Sequence, residues 1–162
     1  MSVESGRGGV ELELAWAIRN RLEEAVKNFV FETDIKGHPH KAPQIINGYL
    51  PPKRQKEGPE VPFIIVRPSS GVTQNDGYSR VSVKLIIVTY SEEFDGYEYG
   101  LQVLQRVKQS FMQQPTLDKR YRFETPFKWE MIDDQPYPNW QIVVSTEWTV
   151  ATPQLIPDEG VL

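Results

Sequence analysis

Apolar residues between Val10 and Phe31 recur at helical spacing. Leu14, Ile18, Leu22, Ala25, Val26 and Phe29 fall on one stripe, while Arg19, Arg21, Glu23, Glu24 and Lys27 occupy the other faces. This pattern predicts an amphipathic helix over residues 10–31, lying on an apolar surface, with Trp16 and Phe31 extending its buried side. All periodicity then stops. Residues 34–62 contain Pro39, Pro43, Pro51, Pro52, Pro59 and Pro62, with Gly37, Gly48 and Gly58 among them. Proline fixes φ and has no N–H for a ladder, so a long semi-extended arm is expected here, available to contact something else. Only Gln44-Ile-Ile-Asn-Gly-Tyr-Leu50 could make a short strand within it.

Phe63-Ile-Ile-Val-Arg67, bracketed by Pro62 and Pro68, reads as a strand. A loop over 69–77 ends in Asn75-Asp-Gly, which tolerates positive φ and places a turn near Asp76 and Gly77. The next strand spans 80–90, with Val81, Val83, Leu85 and Ile87 pointing one way and Ser82, Lys84, Ile86 and Val88 the other. A second helix is expected from about Asp95, where Asp95 and Glu98 have capping-box spacing and Glu92, Glu93 and Asp95 suit the positive end of a helix dipole. Its buried face reads Tyr97, Leu101, Leu104, Val107, Phe111 and Met112, and Pro115 marks its end. Two closing strands alternate Tyr121, Phe123, Phe127, Trp129, Met131 and Trp140, Ile142, Val144, Thr146, Trp148, Val150 with polar residues. The turn-rich Asp133-Asp-Gln-Pro-Tyr-Pro-Asn139 between them predicts an antiparallel hairpin.

The expected fold is therefore α+β: an antiparallel sheet of four to five strands, two helices packed on one face, and the long proline-rich arm. One domain over residues 10–151 is expected, with residues 1–9 a flexible lead-in and 152–162 a flexible or interacting tail. Two helices cover one sheet face only. Yet Ile64-Ile-Val66, Leu85-Ile-Ile-Val88 and Val143 are apolar on both faces of their strands. Leaving such side chains wet would forfeit about 1.5–3 kcal/mol each. Either the arm folds back over that second face or a neighbouring molecule covers it, and the reading adopted is a neighbour.

Composition narrows the chemistry. The chain has 162 residues, no cysteine and a formal net charge of −4, which removes disulfides, thiolate zinc sites and cysteine nucleophiles and disfavours a general nucleic-acid binder. No run of about 20 apolar residues could cross a membrane as a helix, and the first residues have no apolar core of the export-signal kind. Gly6, Gly8 and Gly9 do not match a phosphate loop. His38 and His40 are the chain's histidines, both in the arm, and no further ligands accompany them at metal-site spacing. The carboxylates of Glu92-Glu-Phe-Asp95 and Asp133-Asp134 lack calcium-loop spacing and read as helix-start and turn residues. Lys53-Arg-Gln-Lys56 is a small basic patch in the arm, read as solvated loop charge. No catalytic constellation and no cofactor is expected.

The order of these parts resembles a known family. An amphipathic first helix leads to a proline-rich segment ending in Pro62-Phe-Ile-Ile-Val-Arg-Pro68, and a long strand closes at Val88-Thr-Tyr-Ser91. An acidic start, Glu92-Glu-Phe-Asp-Gly-Tyr-Glu98, opens the second helix, and an aromatic hairpin ends in Trp148-Thr-Val150. Over residues 10–151 this resembles the tail terminator (tail completion) proteins of long-tailed bacteriophages, in element order and character rather than in specific motifs. The resemblance implies a virion structural protein, assembled in the host cytoplasm, with no enzyme activity, cofactor or metal. It implies a homo-oligomeric, hexameric ring that caps the tail tube protein and meets the head–tail connector or neck proteins, with no membrane and no sequence-specific nucleic acid as partner. The arm is longer than a minimal terminator requires, so another neck or head–tail joining protein is the alternative. A secretion-machine component related to phage tails would have the same fold and different partners. The contacts are expected at Tyr49, Lys53 and Arg54 in the arm, at the 69–77 loop with Gly71 and Asn75, and at Ile86 and Val88. A rival from another class is a small enzyme or ligand-binding domain using His38, His40 and Asp133 or Asp134.

Overall fold

A computed structural model describes residues 9–33, 40–49 and 61–151. Residues 1–8 and 152–162 of the expected tails, His38, Lys53 and Arg54 lie outside the described residues, while Gly9, expected in the lead-in, opens the first helix. Helix α1 (Gly9–Val26) buries Leu14, Ala15, Ala17, Ile18, Leu22 and Val26. It ends five residues before the expected Phe31, in a turn closed by the Phe29 N–H donating to Val26 O at 3.0 Å. Phe29 and Phe31 stack with centroids 5.2 Å apart. Residues two apart share a side in an extended chain and not on a helix, so the aromatic pair itself favours the switch to strand. Strand β1 (Phe31–Glu32) pairs antiparallel with β2 (His40–Lys41) as a small separate sheet.

The main sheet corrects the expected four to five antiparallel strands. It has six strands: β3 (Gln44–Asn47), β4 (Phe63–Thr73), β5 (Tyr78–Tyr90), β6 (Thr116–Leu117), β7 (Tyr121–Glu130) and β8 (Asn139–Ala151). Their order is β3-β4-β5-β8-β7-β6. The sheet is mixed, because β3 runs parallel to β4, with Gln44 opposite Phe63 and Asn47 opposite Val66. Parallel neighbours need a long connection, and the residues between Asn47 and Phe63 supply it. The proline-rich stretch thus builds a sheet edge. Its prolines bracket β3 instead of interrupting it, and Ile45 enters the main core while Ile46 faces the other side. At the opposite edge, Asp118 and Lys119 take positive φ of 51° and 58°, turning the chain so that Leu117 pairs with Tyr121. Strands of two to four residues carry too little periodicity to be counted in advance.

The expected 69–77 loop is also largely strand. β4 continues to Thr73 against β5 after a register shift between Pro68 and Ser70, and the turn narrows to residues 74–77, with the Tyr78 N–H donating to Asp76 Oδ1 at 2.9 Å. A second shift between Glu124 and Lys128 surrounds Pro126 in β7. Among the described residues β6 accompanies β7 only as far as Arg122, and Pro126 falls in the shifted stretch without a register partner on β8, a place where a missing N–H interrupts no paired ladder. These bulges curl the sheet.

Helix α2 (Tyr97–Gln113) lies beside α1 on one face and buries Gly100, Val103, Leu104, Val107 and Phe111. Tyr97 and Met112, expected inside, are exposed. The expected capping box does not form: the residue before the helix is Gly96, with no side-chain cap, and the Glu98 N–H donates to the main-chain oxygen of Asp95 at 3.1 Å. The helices cap each other's carboxyl ends instead. Arg21 of α1 donates to Ser110 O at 3.2 Å and Gln114 O at 2.8 Å, and Arg106 of α2 donates to Ala25 O at 3.0 Å. Each guanidinium places positive charge on the last carbonyls of the other helix, where the dipole favours it.

Between helices and sheet lies a core of Ile64, Val66, Val83, Leu85, Ile87, Ile142 and Val144 with Phe111, Phe123 and Trp148. Burial pushes the Tyr121 phenol above its ordinary pKa of 10.0, with Arg120 opposing in part, and burial followed by Glu32 and Asp95 does the same to Tyr99. The folded chain therefore holds these protons to higher pH than the unfolded chain, so the contribution of these two phenols to stability is fully present below their ordinary pKa of 10.0 and is lost as pH rises through the raised folded values. Thermal melts across the alkaline range should show that decline, and Tyr121→Phe should reduce it.

Candidate functional site

The second sheet face departs from expectation. Val61, Phe63, Ile65 and Ile86 form a buried cluster there, with Ile46, Val88 and Tyr90 packed against it. Ile86 keeps only 9% of its surface. An open apolar face awaiting a neighbour is thus not what this chain presents: Ile86 is corrected to a packed residue and Val88 to a half-buried one. The reason is local, since Val61 arrives from the connection ahead of β4 and Ile46 from β3, neither being part of the expected sheet.

Other expected contact residues are spread apart. Tyr49 is exposed, with the Arg67 guanidinium 4.1 Å from its ring centroid and Arg67 Nε donating to Gly48 O at 3.2 Å. Gly71 and Asn75 sit exposed toward the tip of the β4–β5 hairpin. A Cβ at Gly71 would come 3.2 Å from Arg80 O, so this glycine serves close strand pairing. His40 is exposed in β2, while Asp133 and Asp134 are exposed in the β7–β8 connection. Among the described residues no three His, Cys, Asp or Glu side chains gather in a way that could hold a metal ion, and no helix is long and apolar enough to cross a membrane. The groove between α1 and α2 is lined by Arg21 and Arg106, each of which donates to the end carbonyls of the other helix.

Two surfaces stand out instead. The first is at the end of the sheet where β5 leaves for α2. Trp140 Nε1 donates to Ser91 O at 3.0 Å, and Tyr137 Oη donates to Glu92 O at 2.6 Å. The Glu93 N–H donates to Ser91 Oγ at 3.1 Å, and the Gly96 N–H to Glu93 O at 3.0 Å. The rings of Tyr97 and Tyr137 both pack on Trp140, at 6.4 and 6.1 Å between centroids. These bonds hold residues 91–96 in one shape, and that shape leaves Phe94 89% exposed. Ile132 and Tyr137 are exposed nearby in the β7–β8 connection. Glu92, Glu93 and Asp95 neighbour Phe94 in the chain and Asp133 and Asp134 follow Ile132, and no Lys or Arg occurs between residues 91 and 100 or between 129 and 142. A large aromatic held in water by a bonded loop gains nothing for the fold, which makes this end of the sheet a candidate interaction surface.

The second surface is the polar half of the second face. Strand registers line up Arg67, Lys84, Ser145 and Lys128 in one row across β4, β5, β8 and β7. Toward the hairpin tip the next row is Ser70, Ser82, Glu147 and Glu124, followed by Val72, Arg80, Thr149 and Arg122. Glu124 and Glu147 are directly opposed, a repulsive pairing. Ser82 Oγ donates to Glu147 Oε2 at 2.6 Å, and basic rows lie on both sides. Lys84 and Lys128 are exposed, and among the described residues neither enters an ion pair.

Sequence reasoning took Glu92-Glu-Phe-Asp95 for a helix start and Asp133-Asp134 for a turn. The alternation of Lys84 with apolar neighbours was visible, but its alignment with Lys128 and Arg67 depends on register. No protein-family model matches the chain, and no curated protein matches it in sequence.

Proposed function

We propose that this chain is a structural subunit of a long-tailed phage virion, a ring-forming tail terminator or a closely related head–tail joining protein, without enzymatic activity. The observation that supports the reading is the presence of two unlike surfaces on one protomer: an aromatic, acidic strand end and a basic-banded sheet face. Closed rings are built from heterologous contacts, in which one patch meets a different patch of the next copy, and such contacts need unlike surfaces on each protomer. The order of elements described above, with its likeness to tail terminators, supports the same reading. Its partners would be further copies of itself, the last tail-tube ring and the connector.

Light scattering coupled to size exclusion, on the free protein and after incubation with tail tubes, tests the proposal. A ring of discrete mass, free or bound at tube ends, is the expected result. A strict monomer that leaves tubes bare would end it.

A further inference from the structure

We infer that the two surfaces are mates: the acidic, aromatic end of one copy docks on the basic row of the sheet face of the next. This rests on the ring reading and adds to it the residues of the contact. The donor surface is Phe94 on its pinned loop, with Glu92, Glu93 and Asp95 beside it in the chain, and the β7–β8 connection, which carries Asp133 and Asp134, tied to that loop through Tyr137 and Trp140; neither 91–100 nor 129–142 contains a Lys or Arg. The receiving surface is the row of Arg67, Lys84 and Lys128, and half-buried Ile46 and Val88 lie on the same face in the rows toward the strand end. An end of the sheet that carries five carboxylates and an exposed aromatic is complementary to a row of Lys and Arg beside apolar side chains. The occupant is therefore a second copy of this chain.

The geometry agrees with a head-to-tail contact. The donor surface lies at the ends of strands, while the receiving row crosses the strands on a face, so the two point in different directions. A contact between one such patch and the other on the next copy leaves both ends free to repeat it, which is the arrangement of a head-to-tail ring. Because the donor loop is held by the Trp140–Ser91, Tyr137–Glu92 and Glu93–Ser91 bonds, docking orders little new structure, and less entropy opposes it. Charge pairing at such a rim speeds encounter and fixes register, and it weakens as salt rises.

Charge exchange tests the contact. One variant carries Glu93→Lys with Asp133→Lys, another carries Lys84→Glu with Lys128→Glu, and all four positions are exposed. Each alone is expected to weaken self-association by about tenfold or more in sedimentation velocity, with unchanged circular dichroism. Mixing the two should restore assembly, since each reversed patch then finds a reversed mate. Phe94→Ala should weaken association without changing its salt dependence. If the wild type assembles and neither reversal weakens it, or the folded pair fails to co-assemble, the inference is overturned while the ring reading stands. If the variants self-associate normally but lose binding to tubes or connector, the acidic end serves another partner and the inference is likewise overturned. A wild type that is monomeric both free and on tubes overturns the ring reading, and this inference with it.

Discussion

Replacing Trp148 with alanine is expected to lower stability by about 3–5 kcal/mol. That is a large part of the roughly 5–15 kcal/mol by which domains of this kind are stable. Trp148 is 1% exposed and sits where β8, β7 and α2 meet, its ring edge-on to Phe111 at 5.1 Å and to Phe123 at 5.6 Å. Phe111 and Phe123 also face each other at 5.5 Å, so removing the indole opens a cavity that these two rings cannot close without losing their own contact. The indole has a polar role as well. Nε1 donates to Thr146 Oγ1 at 2.8 Å, and that hydroxyl donates to Val83 O at 2.7 Å, which satisfies a buried chain linking β8 to β5. Trp148→Phe keeps most of the packing and loses this bond, so its cost should be smaller, about 1–2 kcal/mol. Urea titration of the three proteins gives the ranking directly. A Trp148→Ala variant within 1 kcal/mol or so of wild type would mean that the aromatic cluster is not packed as described.

Gly96→Ala is the second large effect, and its sign separates two explanations. Gly96 has φ −60° and ψ −21°, a backbone that alanine adopts freely. On propensity alone, alanine at this helix start would stabilise by up to about 1 kcal/mol. A Cβ there, however, would lie 2.5 Å from Ser91 Cβ and 2.6 Å from Trp140 Nε1. Neither neighbour can yield freely, because Ser91 and Trp140 are bonded to each other and Ser91 Oγ accepts from the Glu93 N–H. The loop must move and the Trp140 bond must stretch or break. The expected net result is a loss of about 1–3 kcal/mol, with faster hydrogen exchange at Glu93 and Gly96. Because the same loop holds Phe94, the variant should also assemble less well than its stability alone accounts for. A stabilised Gly96→Ala with protected amides would show that close packing is not why glycine stands there.

Where periodicity was long, sequence and structure agree closely. The alternation of Ile142, Val144, Thr146, Trp148 and Val150 is the buried side of β8, and Val81, Val83, Leu85 and Ile87 are the buried side of β5. Leu14, Ile18 and Leu22 are the buried stripe of α1. These segments carry their answer locally, because a side chain's direction follows from the repeat of its own element. Short elements carry no such information. β3 and β6 owe their place to pairing with Phe63–Val66 and Tyr121–Arg122, far away or across a tight turn, and without them the sheet reads as smaller and wholly antiparallel. The apolar surplus of the second face was misassigned for the same reason: its cover comes partly from Val61 and Ile46, on segments that proline content suggested were outside the fold.

The candidate contact surfaces were legible in part. Acidic residues before the second helix and in the last connection stand out in the chain, and so does Phe94 among them, but their helix-start and turn roles looked sufficient. The separation between residues 91–96 and residues 132–140 hides that Trp140 and Tyr137 bind that loop and bring both acidic runs to one end. Likewise Arg67, Lys84 and Lys128 form a row only through the registers of four strands, one of them shifted by the bulge around Pro126.

By itself the sequence determined the two helices, the long strands with their inward faces, and an acidic chain without cysteine. Each of these depends on composition or on a repeat between near neighbours. Tertiary structure alone decided the sixfold count and mixed direction of the strands, the burial of Ile86, and the exposure of Phe94 on a fixed loop. Those depend on which distant segments come into contact, and pairings over that distance are set by the energy of the whole packed layer, not by any short stretch of it.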